Sequence, residues 1–187
     1  SKGEVSSRKQ GRGAARPRDV KGYDFRNPVI FLKEQLRTLE AVHDEFARAL
    51  GASLAAHLRL AAQARCIAVD QVSFGEFIKS LPAPCSVGRT RLQPGDGRAM
   101  LAIHPAVAGG LLDRLAGGSG VPEAADRPFT EVEEAILKDV IELFLNEMEP
   151  AWSRTLKLSF ALEGLESNAE FCRIARKEEA VAAVTIE

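Results

Sequence analysis

Arg65-Cys66-Ile67-Ala68-Val69-Asp70-Gln71-Val72 alternates in the manner of a half-buried strand, and Ser73-Phe74-Gly75-Glu76-Phe77 follows it directly. Ser73 is a good N-cap, so the chain is expected to pass from strand into a short helix that runs through Ser80, with Phe74, Phe77 and Ile78 facing inward. Leu81-Pro82-Ala83-Pro84 then ends that helix, because proline lacks the amide hydrogen and its ring clashes with the preceding turn. A strand followed by a helix is one step of the element order from which an α/β fold is read.

Upstream, apolar residues recur at Leu32, Leu36, Leu39, Phe46, Leu50, Leu54 and Leu58. Steps of mostly three, four or seven predict a long amphipathic helix, with Pro28 just before its start. Downstream, Ser86–Leu92 and Arg98–Ile103 read as strands around the turn Pro94-Gly95-Asp96-Gly97. Pro105 opens a second helix through Ala106, Val107, Leu111, Leu112 and Leu115, which ends at Gly117-Gly118-Ser119-Gly120. Thr130 and Glu133 form a capping box for a third helix reaching about Trp152, with a core stripe of Ile136, Val140, Leu143 and Phe144. Two further strands are expected over Thr155–Gly164 and Ala180–Ile186. Helix, strands and helix are thus followed by helix and strands again. This order predicts two similar halves and a central sheet between helical layers.

The 187 residues suffice for one domain with a real core and leave little room for a second. A net charge of −1 gives no sign of a nucleic-acid binder. No apolar run approaches the ~18 residues of a membrane span, and no start resembles a signal peptide, so stable membrane insertion is not expected and a cytoplasmic location is. Cys66, Cys85 and Cys172 lack metal-site or redox-motif spacing and read as reduced thiols. His43 and His57 lie fourteen positions apart on one predicted helix, about 21 Å, too far to share a metal. His104 is likewise read as structural or surface, and no metal or cofactor is expected.

Residues 1–22 stand apart. They hold no aromatic residue and seven cations against two acids, a net of +5 that leaves −6 for residues 23–187. So polar and glycine-rich a segment reads as a disordered basic linker.

Five blocks carry a family resemblance. They are Tyr23-Asp24-Phe25-Arg26 with Lys33-Glu34-Gln35-Leu36-Arg37-Thr38-Leu39-Glu40; Glu45-Phe46-Ala47-Arg48; Val69 to Phe77, closed by Ser80-Leu81-Pro82-Ala83-Pro84; Leu112-Asp113-Arg114-Leu115; and Gly117-Gly118-Ser119-Gly120. In this order and spacing the chain from Tyr23 onward resembles the middle domain of the flagellar motor switch family FliM. The resemblance implies a CheC-like fold, a three-layer α/β/α sandwich with a pseudo-twofold internal repeat, over residues 23–187. That domain is expected to be incomplete at its C-terminal end.

The resemblance also implies a non-enzymatic scaffold in the cytoplasmic ring of the flagellar motor. Its partners would be FliG, neighbouring FliM copies, FliN and phosphorylated CheY. The family's FliG contact maps to Gly117, Gly118, Ser119 and Gly120, with Asp113 beside it. Glycines there would let a partner's backbone come close to exposed amide and carbonyl groups. Leu112 and Leu115 are expected mainly in the core. The charged face Arg37, Glu40, Asp44 and Arg48 of the first helix is the candidate for side-by-side contact. CheY capture and FliN-type ring contacts are tied in the family to an N-terminal motif and a C-terminal domain. Neither is found in residues 1–187, so these contacts are not expected of this stretch.

Two rival readings share the fold. A CheC-type phosphatase needs an acid and an asparagine about one turn apart on an exposed helix, the asparagine to position water at an aspartyl phosphate. Aligning the third helix by its start brings Ala135, Asp139 and Glu142 into register. A carboxylate at Glu142 would repel both phosphoryl group and hydroxide, Asn146 comes one turn too late, and Asn168 lies off the helix. A type III secretion rotor paralogue is the second, with a scaffold role but a different partner.

Overall fold

The computed structural model describes residues 31–121 and 127–187. The basic segment 1–22 and the Tyr23–Arg26 block lie outside the described residues.

The elements are α1 (Lys33–Leu58), β1 (Cys66–Ser73), α2 (Phe74–Ser80), β2 (Ser86–Gln93), β3 (Gly97–Ile103), α3 (Pro105–Leu115), α4 (Glu131–Trp152), β4 (Ser159–Glu166), a single 3-10 turn (Ala169–Phe171) and β5 (Ala180–Ile186). The expected cap after the first strand is present: Ser73 Oγ accepts the Glu76 amide, and the Glu76 carboxylate accepts the Ser73 amide in return. Thr130 and Glu133 repeat the same reciprocal cap at the start of α4.

Each half is built in the same order: long helix, eight-residue strand, short helical turn, strand. α1, β1, α2 and β2 match α4, β4, the 3-10 turn and β5. Pairing is exchanged between the halves, since β1 runs antiparallel to β5 and β4 antiparallel to β2. That exchange is what a pseudo-twofold relation requires. β3 adds a hairpin strand on the other side of β2.

The mixed α/β architecture expected from the sequence is present, with the strands in two hydrogen-bonded groups instead of one continuous central sheet. They fall into a pair, β1–β5, and a triplet, β3–β2–β4, with no ladder joining them among the described residues. A continuous helical layer bridges the two groups: α1 packs on β1 and β5, α4 on β2 and β4, and the two helices pack on each other.

Alternation along the strands sorts side chains into two cores. Leu101 and Ile103 of β3 join Val42, Phe46, Leu50, Leu111, Leu137, Ile141 and Phe144 under α1, α3 and α4. Val87, Met100 and Ala102 point to the opposite face, where Ile78, Leu81, Cys85 and Cys172 close a smaller core beneath α2 and the 3-10 turn. Gly88 sits where α4 comes closest; a Cβ there would lie 2.9 Å from Ile141 Cγ2.

Burial on α1 is shifted from the expected stripe. Leu32 is 65% exposed, and Leu36, Leu39 and Leu54 are half-buried. Burial deepens from Val42, near where Trp152 of α4 reaches the helix, and there His43 and Ala47 are buried as well. On α4, Leu137, Ile141 and Leu145 are buried, whereas Ile136 and Leu143 are half-buried. β4 starts four residues later than expected, because Ser153, Thr155 and Leu156 donate their amides to Pro150 and Trp152 and prolong the end of α4 as turns.

Candidate partner-binding loop

α3 ends at Leu115, and the chain reverses through Gly117-Gly118-Ser119-Gly120. Gly117 at φ +95° and Gly120 at φ +77° both need the left-handed region, where a side chain is strained. The Ala116 amide donates to Leu112 O, Gly117 to Arg114 O and Gly118 to Asp113 O, so the last carbonyls of α3 are satisfied by the loop.

Two adjacent side chains hold the loop. Asp113 Oδ2 accepts the Gly120 amide at 2.8 Å. A Cβ on Gly118 would run into the Asp113 carboxylate, so a larger residue there would have to push that side chain aside. The Arg114 guanidinium donates to Gly118 O at 3.0 Å, to Leu58 O at 2.8 Å and to Arg59 O at 3.2 Å. Arg114 therefore fastens the loop to the C-terminal end of α1. Asp113 is marked by the family resemblance, whereas the role of Arg114 emerges only in the structure. The bonds it makes reach 55 and 56 positions back along the chain, and no local pattern signals them.

Leu112 is buried, as expected, whereas Leu115 is 43% exposed and Val121 is 63% exposed. Ser119 is exposed between them. The exposed Ser119 is thus flanked by two accessible apolar side chains.

The charged face of α1 lies elsewhere. Arg37, Glu40 and Arg48 are exposed and Asp44 is half-buried. Burial, then the negative charges of Asp44 and Glu40, raise the Cys66 thiol above its ordinary range, so this face sits beside β1. Glu45 instead turns toward α4 and pairs with Arg154 at 3.4 Å.

Asp139, Glu142, Ala135 and Asn146 are all exposed on α4. Glu142 pairs with Lys138 at 3.7 Å. Asn168 caps the 3-10 turn by accepting the Glu170 amide. His43 donates from Nδ1 to Leu39 O, His57 hydrogen-bonds Ser53 O, and His104 caps α3 by accepting the Ala106 amide. Among the described residues no cluster of three or more His, Cys, Asp or Glu could hold a metal, and no helix is long and apolar enough to cross a membrane.

These features define an α/β domain of two half-repeats with exchanged strand pairing, in which a glycine loop is held between the ends of α3 and α1. Residues 32–187 match the family model for "Flagellar motor switch protein FliM", and the chain belongs to that family. Curated FliM relatives include those of Treponema pallidum, 35% identical over 91% of this chain and 49% of the relative, and Borreliella burgdorferi, 36% identical over 90% and 48%. The chain spans about half the length of these relatives. Among solved structures it is similar to a chain of the FliG–FliM complex from H. pylori, with a TM-score of 0.80 and 29% identity over 83% of this chain and 86% of that one. Thermotoga maritima FliY shares the fold at 14% identity and a TM-score of 0.72, over 84% of this chain and 83% of that one.

Proposed function

We propose that this domain is a non-enzymatic scaffold of the flagellar motor switch that binds FliG through Gly117, Gly118, Ser119 and Gly120, with Asp113 shaping the loop. The observation that carries the reading is the loop itself. Its conformation is fixed internally by Asp113 and Arg114, while Ser119, Leu115 and Val121 stay accessible to a partner. A loop held in one shape binds at a smaller entropic cost than one ordered on contact. The similar chain in a FliG–FliM complex supports FliG as the partner.

Side-by-side contact with further copies is assigned to Arg37, Glu40, Asp44 and Arg48, none of which forms an ion pair among the described residues. The domain would pass a change of packing between copies to FliG, at the cytoplasmic side of the motor. Only a partner that binds two arrangements unequally can shift their populations. Residues 1–22 serve in this reading as a basic linker, and FliN and phosphorylated CheY are engaged through other parts of the protein.

Calorimetric titration with the FliG middle domain tests the loop. Gly118→Asp is a poor probe, because any Cβ there displaces Asp113. Ser119→Arg and Leu115→Glu change the accessible surface and leave the internal hydrogen bonds in place. Binding by the parent with at least tenfold weakening in both variants is expected. Equal affinity in folded variants would move the contact away from the loop.

A further inference from the structure

We propose that Arg114 is a positioning residue that couples the C-terminal end of α1 to the Gly117–Gly120 loop, so that the shape offered to a partner is set by the placement of α1. The inference rests on the reading of this loop as the FliG contact and adds a route by which that contact is regulated.

All three guanidinium nitrogens find a carbonyl. Nε donates to Leu58 O, Nη2 to Arg59 O and Nη1 to Gly118 O. The first two lie at the end of α1, where the last carbonyls have no partner within the helix and a cation also meets the negative end of the helix dipole. Arg59 adopts φ +51°, which turns the chain out of the helix beside the guanidinium. The aliphatic stem of Arg114 contributes separately: a Cβ on Gly120 would lie 3.3 Å from Arg114 Cβ and 3.5 Å from Cδ, so the loop backbone closes over the stem. One half-buried side chain therefore contacts the loop at Gly118 and Gly120 and the end of α1 at Leu58 O and the C-cap carbonyl of Arg59. The planar fork of arginine can reach three acceptors at fixed angles, which the single ammonium of lysine cannot.

α1 is also the helix whose charged face is assigned to contact between copies. A shift of α1 against α4 must move Leu58 O and Arg59 O, and through Arg114 it moves Gly118 O.

The test uses the whole chain with Arg114→Gln, Arg114→Lys, and Arg59→Val, whose β-branched side chain disfavours the left-handed cap. Amide hydrogen exchange is read at Gly118 and Gly120, with amides in the middle of α4 as a control. Arg114→Gln should speed exchange at the loop at least tenfold with α4 unchanged, and Arg114→Lys should fall between. Arg59→Val should speed exchange at the loop when Arg114 is present and add nothing in the Arg114→Gln background, the non-additivity that defines coupling. Additive effects, or an unchanged loop in either Arg114 variant, would overturn the proposal. Should Arg114→Gln not fold, the Arg114→Lys pair carries the same comparison. Titration with the FliG middle domain separates the two ideas. Faster loop exchange with undiminished FliG affinity would support the coupling and overturn the loop as the FliG contact.

Discussion

His43 is buried in the contact between α1 and α4, edge-on to both Phe46 and Trp152. Because Leu39 O only accepts, Nδ1 must carry the proton that bonds it. Burial lowers the imidazole pKa below its ordinary 6.5, with the Leu39 carbonyl opposing. The unfolded chain therefore takes up a proton at higher pH than the folded one. The sign follows from linkage: the contribution is whole above pH 6.5 and is lost as pH falls below it. Urea denaturation between pH 5 and 8 should show stability declining below about 6.5. His43→Phe should flatten that decline, and an unaltered slope would place the titrating group elsewhere.

Among the elements, α4 depends most visibly on one cap. Thr130 Oγ1 accepts the Glu133 amide, and the Glu133 carboxylate accepts the Thr130 amide while gripping Arg127 at 2.7 Å through both oxygens. The Arg127 hydrogen bonds, then that from the Thr130 amide, hold the Glu133 carboxyl down at about 2. The Arg127 side chain is 55% exposed, so salt screens this pair and the cap itself is the steadier contribution. Thr130→Ala should cost about 1 kcal/mol. In a chain of this length that lowers Tm by roughly 2–4 °C. Differential scanning calorimetry measures it, and a shift below 1 °C would mean that packing of the α4 face alone sets the helix start.

At the scale of the molecule, the two cores lie on opposite sides of the β3–β2–β4 sheet. Cys85 and Cys172 belong to the smaller one and are almost fully buried, whereas Cys66 on β1 is half-buried. Burial, with the Glu166 charge adding, pushes the Cys172 thiol up to about 11. Near pH 8 its thiolate is scarce, and access requires α2 and the 3-10 turn to lift. Labelling with a thiol reagent, followed by mass spectrometry, should modify Cys66 first. Cys85 and Cys172 should react only at denaturant concentrations that unfold the domain. If they react before global unfolding, the smaller core opens on its own as a separate unit.

Local chemistry was enough to place most elements. Ser73 as a cap and Thr130 with Glu133 mark two helix starts, prolines mark stops, and the glycines mark the loop, because caps and turns are built from groups close in sequence. Family resemblance, carried by ordered blocks, pointed to the loop as a site. Several features depended on contacts across the chain. Splitting of the strands into two groups follows from which edges meet. Burial of His43 instead of Leu36 and Leu39 follows from where Trp152 lands on α1. Leu112 and Leu115 share the apolar pattern of α3, yet packing against the core takes one and leaves the other exposed. Arg114 reads in sequence as an ordinary helix cation, and only tertiary structure brings Leu58 O and Arg59 O within its reach. Periodicity fixes which residues can share a face, but the partner that covers the face decides which of them are buried and which remain free to bind.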